Sequence, residues 1–136
     1  MRLYLFGNGS LSFEEFLRRY YAPLVDLRDQ PDVEYLVCDF RGVDTLAMEH
    51  LKCVTARVRV FHVGERPRYL PDRYRTKVSG WTLVGAFASD EARDAAAIEA
   101  CTHFLAHDVT STPARVSGTQ RNIERCLALG KQRIGA

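Results

Sequence analysis

Short apolar runs alternate with longer amphipathic ones along the whole chain, and this alternation restricts the fold more than any other feature. Leu3–Phe6, Val33–Cys38, Val58–Val63 and Thr102–Ala106 read as strands, and Lys131–Ile134 begins a fifth. Between them lie helical patterns. Ser12-Phe13-Glu14-Glu15 forms a capping box, in which Ser12 accepts from the Glu15 N–H and Glu15 reaches back to Ser12. Phe13, Phe16, Leu17, Tyr20 and Tyr21 follow at helical spacing, and Pro23 falls late enough to bend or end that helix. Leu46, Ala47, His50, Leu51 and Val54 share a helical face. Asp90–Cys101 is an alanine-rich helix capped by Ser89 or Asp90, and Thr119–Leu129 is a last helix with Gly130 at its C-cap. Segments 64–81 and 108–118 read as loops.

Strands that alternate with helices pair in parallel through right-handed crossovers. The expectation is an α/β, Rossmann-like three-layer sandwich with a mainly parallel sheet of about five strands. With 136 residues and 46% apolar residues, the chain fits a single domain spanning 1–136. No apolar run approaches the roughly 20 residues of a membrane span, and the first apolar run is too short for a signal peptide. Nineteen basic and 17 acidic residues nearly cancel, which argues against tight non-specific nucleic-acid binding. The four cysteines (Cys38, Cys53, Cys101 and Cys126) are widely spaced, as reduced thiols in a cytoplasmic protein would be, and imply neither disulfides nor zinc. Neither a cofactor nor a metal is expected.

In such sheets the ligand lies beyond the carboxyl ends of the strands. Three turns would meet there. In the first, Gly7 and Gly9 let the backbone approach a ligand and, with Ser10, lead into a helix N-terminus that suits phosphate, although Ser12 stands where G-x-G-x-x-G needs glycine. A tight βα turn explains the same residues. In the second, Asp39 and Asp44 flank Arg41. Asp39 at a strand end suits ribose hydroxyls or a base's work, while Asp44 also suits a helix start. The third places Ser117, Gly118 and Thr119 before a helix, with Asn122 one turn on, where hydroxyls and N–H groups would ring one anion or simply cap the helix.

Other side chains have plainer readings. His103 and His107, four apart on a strand, stand roughly 13 Å apart, too far for one ion. His62 suits an acid or base near the cleft edge but more simply packs. Cys38 has no base beside it in sequence. Loop 64–77 carries five basic and two acidic residues with two tyrosines and two prolines, which fits either a phosphate clamp or a solvated loop.

Asp39-Phe40-Arg41-Gly42-Val43-Asp44-Thr45-Leu46-Ala47, together with Arg93-Asp94 and Ser117-Gly118-Thr119-Gln120-Arg121-Asn122-Ile123, resembles the SLOG superfamily over most of the chain. These are Rossmann-like domains related to the Lonely Guy phosphoribohydrolases and to the DNA-processing proteins of natural transformation. The resemblance implies a nucleotide or nucleotide-derived ligand, sensed or processed, and relatives that often pair as homo-oligomers. By matched position, Gly9, Ser10, Asp39, Gly42, Asp44 and Ser117 to Asn122 would line the cleft. It also makes Arg93 and Asp94 cleft candidates rather than a surface ion pair. Cys38 stands where relatives often have glycine. The hydrolase branch carries a glutamate where this chain has Asn122, which favours binding over that branch's hydrolysis. An N-glycosidase would need Asp39, Asp44 or Asp94 as its carboxylate. A protein-interaction module with a degenerate, crowded cleft is the remaining expectation.

Overall fold

The computed structural model describes residues 1–135. Its elements run β1 (Arg2–Gly7), α1 (Phe13–Phe16), α2 (Ala22–Leu27), β2 (Glu34–Cys38), α3 (Val43–Leu51), β3 (Val58–Val63), β4 (Thr82–Phe87), α4 (Asp90–Ala100), β5 (His103–His107), α5 (Gly118–Ala128) and β6 (Gln132–Arg133). The sheet has six strands in the order β4-β3-β2-β1-β5-β6, every pair parallel.

Alternation within the strands builds the layers. Leu3 and Leu5 point to one face and pack with Phe16, Tyr20, Leu24, Ala47 and Met48, while Tyr4 and Phe6 point to the other and pack with Ala97, Ile98, Ile123 and Cys126. Helices α1 to α3 therefore cover one face and α4 and α5 the other, as a three-layer α/β sandwich requires. Among the described residues, no helix is long and apolar enough to cross a membrane.

The expected mainly parallel sheet of about five strands is present with six, the additional one being residues 82–87, which pair with β3. Two other expectations are corrected. Ser12 does cap its helix, accepting from the Glu15 N–H at 3.2 Å, but the Glu15 carboxylate turns instead to Arg18 and Arg19 at 2.8 Å each. Pro23 does not end its helix, which runs on to Leu27. It sits in the first turn of α2, preceded by a π-helical turn at Leu17–Tyr21. A proline that cannot donate to the carbonyl four residues back is accommodated by that wider turn.

The turns at the sheet's carboxyl edge are held close by Gly42. Its φ is +76°, and a Cβ there would run into the Asn8 carbonyl and the Gly9 backbone. Gly42→Ala is therefore expected to destabilise the fold by about 2 kcal/mol or more, since a side chain at positive φ and a backbone clash add. Urea denaturation of the two proteins measures this directly.

Candidate functional site

The chain leaves β1 toward β2 on one side and returns through β5 on the other, so the strand order reverses between β1 and β5. A crevice opens at such a switch point, beyond the carboxyl ends of the strands. Here it is a cavity of about 470 Å³, within the range of small-molecule sites. Gly7, Gly9, Ser10, Arg41, Asp44, Arg93, Asp94, Ser117, Gly118, Thr119 and Asn122 all line it. Asp39 and Gly42 do not. Gly42 shapes the wall from behind, and Asp39 holds an arginine that reaches the cavity.

Asn8 joins the three turns. Its side chain is buried. Its Nδ2 donates to Asp108 Oδ1 and Thr110 Oγ1 at 3.0 Å and lies 3.3 Å from Thr119 Oγ1, while its Oδ1 accepts from the Val109 N–H at 2.8 Å. Its backbone carbonyl accepts from the N–H of Leu11 and of Val43. One residue thus fixes the glycine turn against the start of α3 and against the loop into α5.

Asp108 organises that loop. It receives the Ser117 hydroxyl at 2.7 Å, the Ser111 N–H at 3.1 Å and the Thr110 N–H at 3.3 Å. Burial pushes its carboxyl up, but the donors at Ser111, Ser117 and Asn8 outweigh that and hold it well below the usual carboxylate range. Ser117 caps α5 by accepting from the Gln120 N–H at 3.0 Å. Its hydroxyl is therefore engaged on both sides. Gly118 and Thr119, whose N–H groups in the first turn of the helix have no intrahelical acceptor, line the cavity. Thr110 and the exposed Arg115 complete this side.

The opposite side is a network of carboxylates and guanidiniums. Asp39 Oδ2 accepts from the Arg68 backbone N–H at 3.0 Å and from its Nε at 3.2 Å. Asp39 Oδ1 accepts from Arg68 Nη2 at 3.1 Å and Arg93 Nη1 at 2.9 Å. Asp90 Oδ1 bridges the same two arginines at 2.6 and 2.9 Å. Arg93 also grips Asp94 Oδ1 through Nε and Nη2, at 3.1 and 2.9 Å. Asn122 donates to the other Asp94 oxygen at 3.0 Å. Burial works against the charge on Asp39, yet the Arg68 and Arg93 contacts hold its carboxyl below the ordinary value.

Asp44 lies between the two sides and behaves differently. Its Oδ2 accepts from the Phe40 N–H at 3.0 Å, and it has no guanidinium bound directly. Burial raises its carboxyl to about 7; the Phe40 N–H and Arg93 pull down, while Asp94 and Asp39 push up. Tyr4 lies at the floor, with its hydroxyl 3.5 Å from Cys38 Sγ, and Cys38 lies 3.7 Å from Asp94. Burial first, then Asp44, pushes the Cys38 thiol up, so it is a poor nucleophile. His62 is buried at the end of β3 with its ring against Gly85, away from the cavity.

Sequence reasoning passed over Asp108, Thr110 and Arg115, and it treated Asn8 only as a spacer between glycines. The Asp108-Val109-Thr110-Ser111 run carries an Asx-turn pattern that would have marked the first two. Of the basic residues in the loop that fits either a phosphate clamp or a solvated loop, Arg68 is occupied by Asp39 and Asp90. Among the described residues, no three His, Cys, Asp or Glu side chains converge as metal ligands would.

Because Asp44 is raised above its unfolded value of about 3.9, the folded chain binds more protons than the unfolded one between about pH 4 and its folded value of about 7. Its contribution is present in full below that window and is lost as pH rises through it. Asp44→Asn, which cannot ionise, is expected to flatten the fall in stability between pH 5 and pH 8. Asp39 and Asp108, both lowered, act with the opposite sign at acid pH. Denaturation midpoints across this range, compared between the two proteins, check it.

Compared with known proteins, the chain matches no family model, no curated relative and no solved structure.

Proposed function

We propose that this chain binds a nucleotide or nucleotide-derived phosphorylated ligand at the carboxyl edge of the sheet, as a sensor or a nucleotide-processing domain. One observation carries the reading. Asn8 draws the Gly7–Ser10 turn and the first turn of α5 to the same wall of one cavity, where free N–H groups and a helix dipole favour an anion. Arg41 and Arg115 add positive charge on that wall. The acidic side, with Asp44 and Asp94, is suited to hydroxyl and amino donors such as those of a ribose or a base. The resemblance to SLOG domains supports the same ligand class. An interaction module with a crowded cleft has the open cavity against it.

A second reading, hydrolysis of a nucleotide N-glycosidic bond, draws support from Asp44. A carboxyl that titrates near neutrality inside a cleft is suited to general acid or base work. Asp39, the other carboxylate expected to be catalytic, is saturated by Arg68 and Arg93. Asn122 stands where the hydrolase branch has its glutamate, but its amide holds the Asp94 carboxylate at the cavity wall.

Thermal shift against nucleoside monophosphates, nucleoside diphosphates, ADP-ribose and cyclic nucleotides tests binding. A true ligand at a hundredfold over its Kd adds about 2.7 kcal/mol, several degrees for a chain of this size. Arg115→Ala is expected to reduce that shift while leaving the ligand-free midpoint unchanged. A folded sample that responds to none of these compounds refutes the reading. Incubation with any nucleotide that does bind, followed by chromatography for free base, tests the second reading. Release should fall by about a hundredfold or more in Asp44→Asn, with binding retained.

A further inference from the structure

The cleft opens at the carboxyl edge of the sheet, and a second cavity, of about 560 Å³, lies at the amino edge. The turn after α2 and residues 54–57, which lead from α3 into β3, form its walls, and Lys77 closes it from the segment before β4. No residue lines both cavities. Hydrogen bonds fix the walls. The Arg57 carbonyl accepts from the Tyr35 N–H at 2.9 Å, the Thr55 carbonyl from Trp81 Nε1 at 2.9 Å, and the Lys52 carbonyl from the Lys77 N–H at 2.7 Å. Tyr35 is the one buried side chain on the wall, 2% exposed, with its ring in the core under α1 to α3. Its hydroxyl makes no hydrogen bond among the described residues. Nor is it among the polar atoms sealed off without a partner, so it opens to the cavity that the residue lines. Burial raises its phenol above the ordinary value, which keeps it a neutral O–H donor.

We propose that this cavity is a second binding site, which takes the phosphate group of a small phosphate monoester on the Tyr35 hydroxyl and the cations around it. Arg28, Arg57 and Lys77 line it, and among the described residues none of the three forms an ion pair. Arg68 and Arg93, at the other edge, are consumed by carboxylates. Asp29 is the one acid on the wall, so three cations against one anion leave two positive charges. A phosphate monoester carries close to two negative charges at neutral pH, whereas a carboxylate carries one. The guanidiniums can each offer two parallel N–H donors to its oxygens. The cavity is larger than a bare phosphate needs and falls within the range of small-molecule sites. Pro31, Val54 and Ala56 supply apolar surface for the organic part. This site stands apart from the cleft and does not depend on the ligand reading there.

Amide NMR of the full chain, titrated separately with glycerol phosphate, inorganic phosphate and methyl sulfate, tests it. Glycerol phosphate is expected to shift the amides of Gln30, Thr55 and Arg57 in a saturable way and more tightly than inorganic phosphate, while methyl sulfate, a monoanion, leaves them in place. Any shift at Gly9, Gly118 and Thr119 reports the cleft instead, so the two sites are read separately. Tyr35→Phe keeps the ring and removes the hydroxyl, and is expected to weaken glycerol phosphate by about tenfold. Arg57→Ala, at an exposed position, is expected to weaken it at least as much and decides the matter even if Tyr35→Phe unfolds. Arg115→Ala, in the cleft, is expected to leave these shifts unchanged. Amides at 28–31 and 54–57 that do not respond to glycerol phosphate overturn the proposal. So does a response that methyl sulfate or inorganic phosphate matches in affinity, or one that survives Arg57→Ala.

Discussion

The Asn8 carboxamide stands at the point where three separate strand-to-helix turns meet, and the site depends on it. Its amide nitrogen and oxygen are both used, by Asp108, Thr110 and Val109, and its carbonyl receives the first N–H of α3. Buried polar groups of this kind are costly unless fully satisfied. Satisfaction here requires β1, α3 and the loop into α5 to hold one arrangement. The cleft is therefore pre-formed: its walls are fixed by hydrogen bonds within the protein and do not wait for a ligand to assemble them.

The acidic wall follows from a charge balance. Asp39, Asp90 and Asp94 share the two guanidiniums of Arg68 and Arg93. That already leaves one excess negative charge next to Asp44. Ionising Asp44 would add a second in a buried place with only a backbone N–H to answer it. Burial and the nearby carboxylates thus act in the same direction, and the proton stays on until near neutral pH. Asp39 and Asp44, five residues apart and alike in sequence, end with opposite protonation behaviour because only one of them meets the arginines.

That contrast marks how far the sequence could be read. Alternating apolar runs announced the layers, and Ser117 announced its helix, since both depend on neighbours within a few residues. The sequence distinguishes Asp44 from Asp39 only by its place at a helix start; their opposite protonation comes from Arg68 and Arg93, 29 and 54 residues away from Asp39. β4 escaped notice because Gly85 and Ala86 interrupt the strand formers Thr82, Val84 and Phe87, and the strand is completed by pairing with β3. Asp108 differs: its donors at Thr110, Ser111 and Ser117 are local and its Asx-turn pattern was legible, and only its tie to Asn8 spans a hundred residues.

The 64–77 loop illustrates the same point from the side of function. Its basic residues suggested a clamp for phosphate, yet Arg68 spends three donors on Asp39 and shares Nη2 with Asp90. Tyr69 in turn donates to Glu49 at 3.0 Å. The loop is thereby fastened to the end of β2, to α3 and to the start of α4. It crosses from β3 to β4 where a helix would ordinarily lie, and these ties give it the fixed position that helix packing would otherwise supply. The same Asp90 that anchors Arg68 lines the cavity and opens α4 just after the edge strand. A displacement of β4 would therefore be felt first by Asp90 and Arg93, and through Arg93 by the Asp94 carboxylate on the cavity wall.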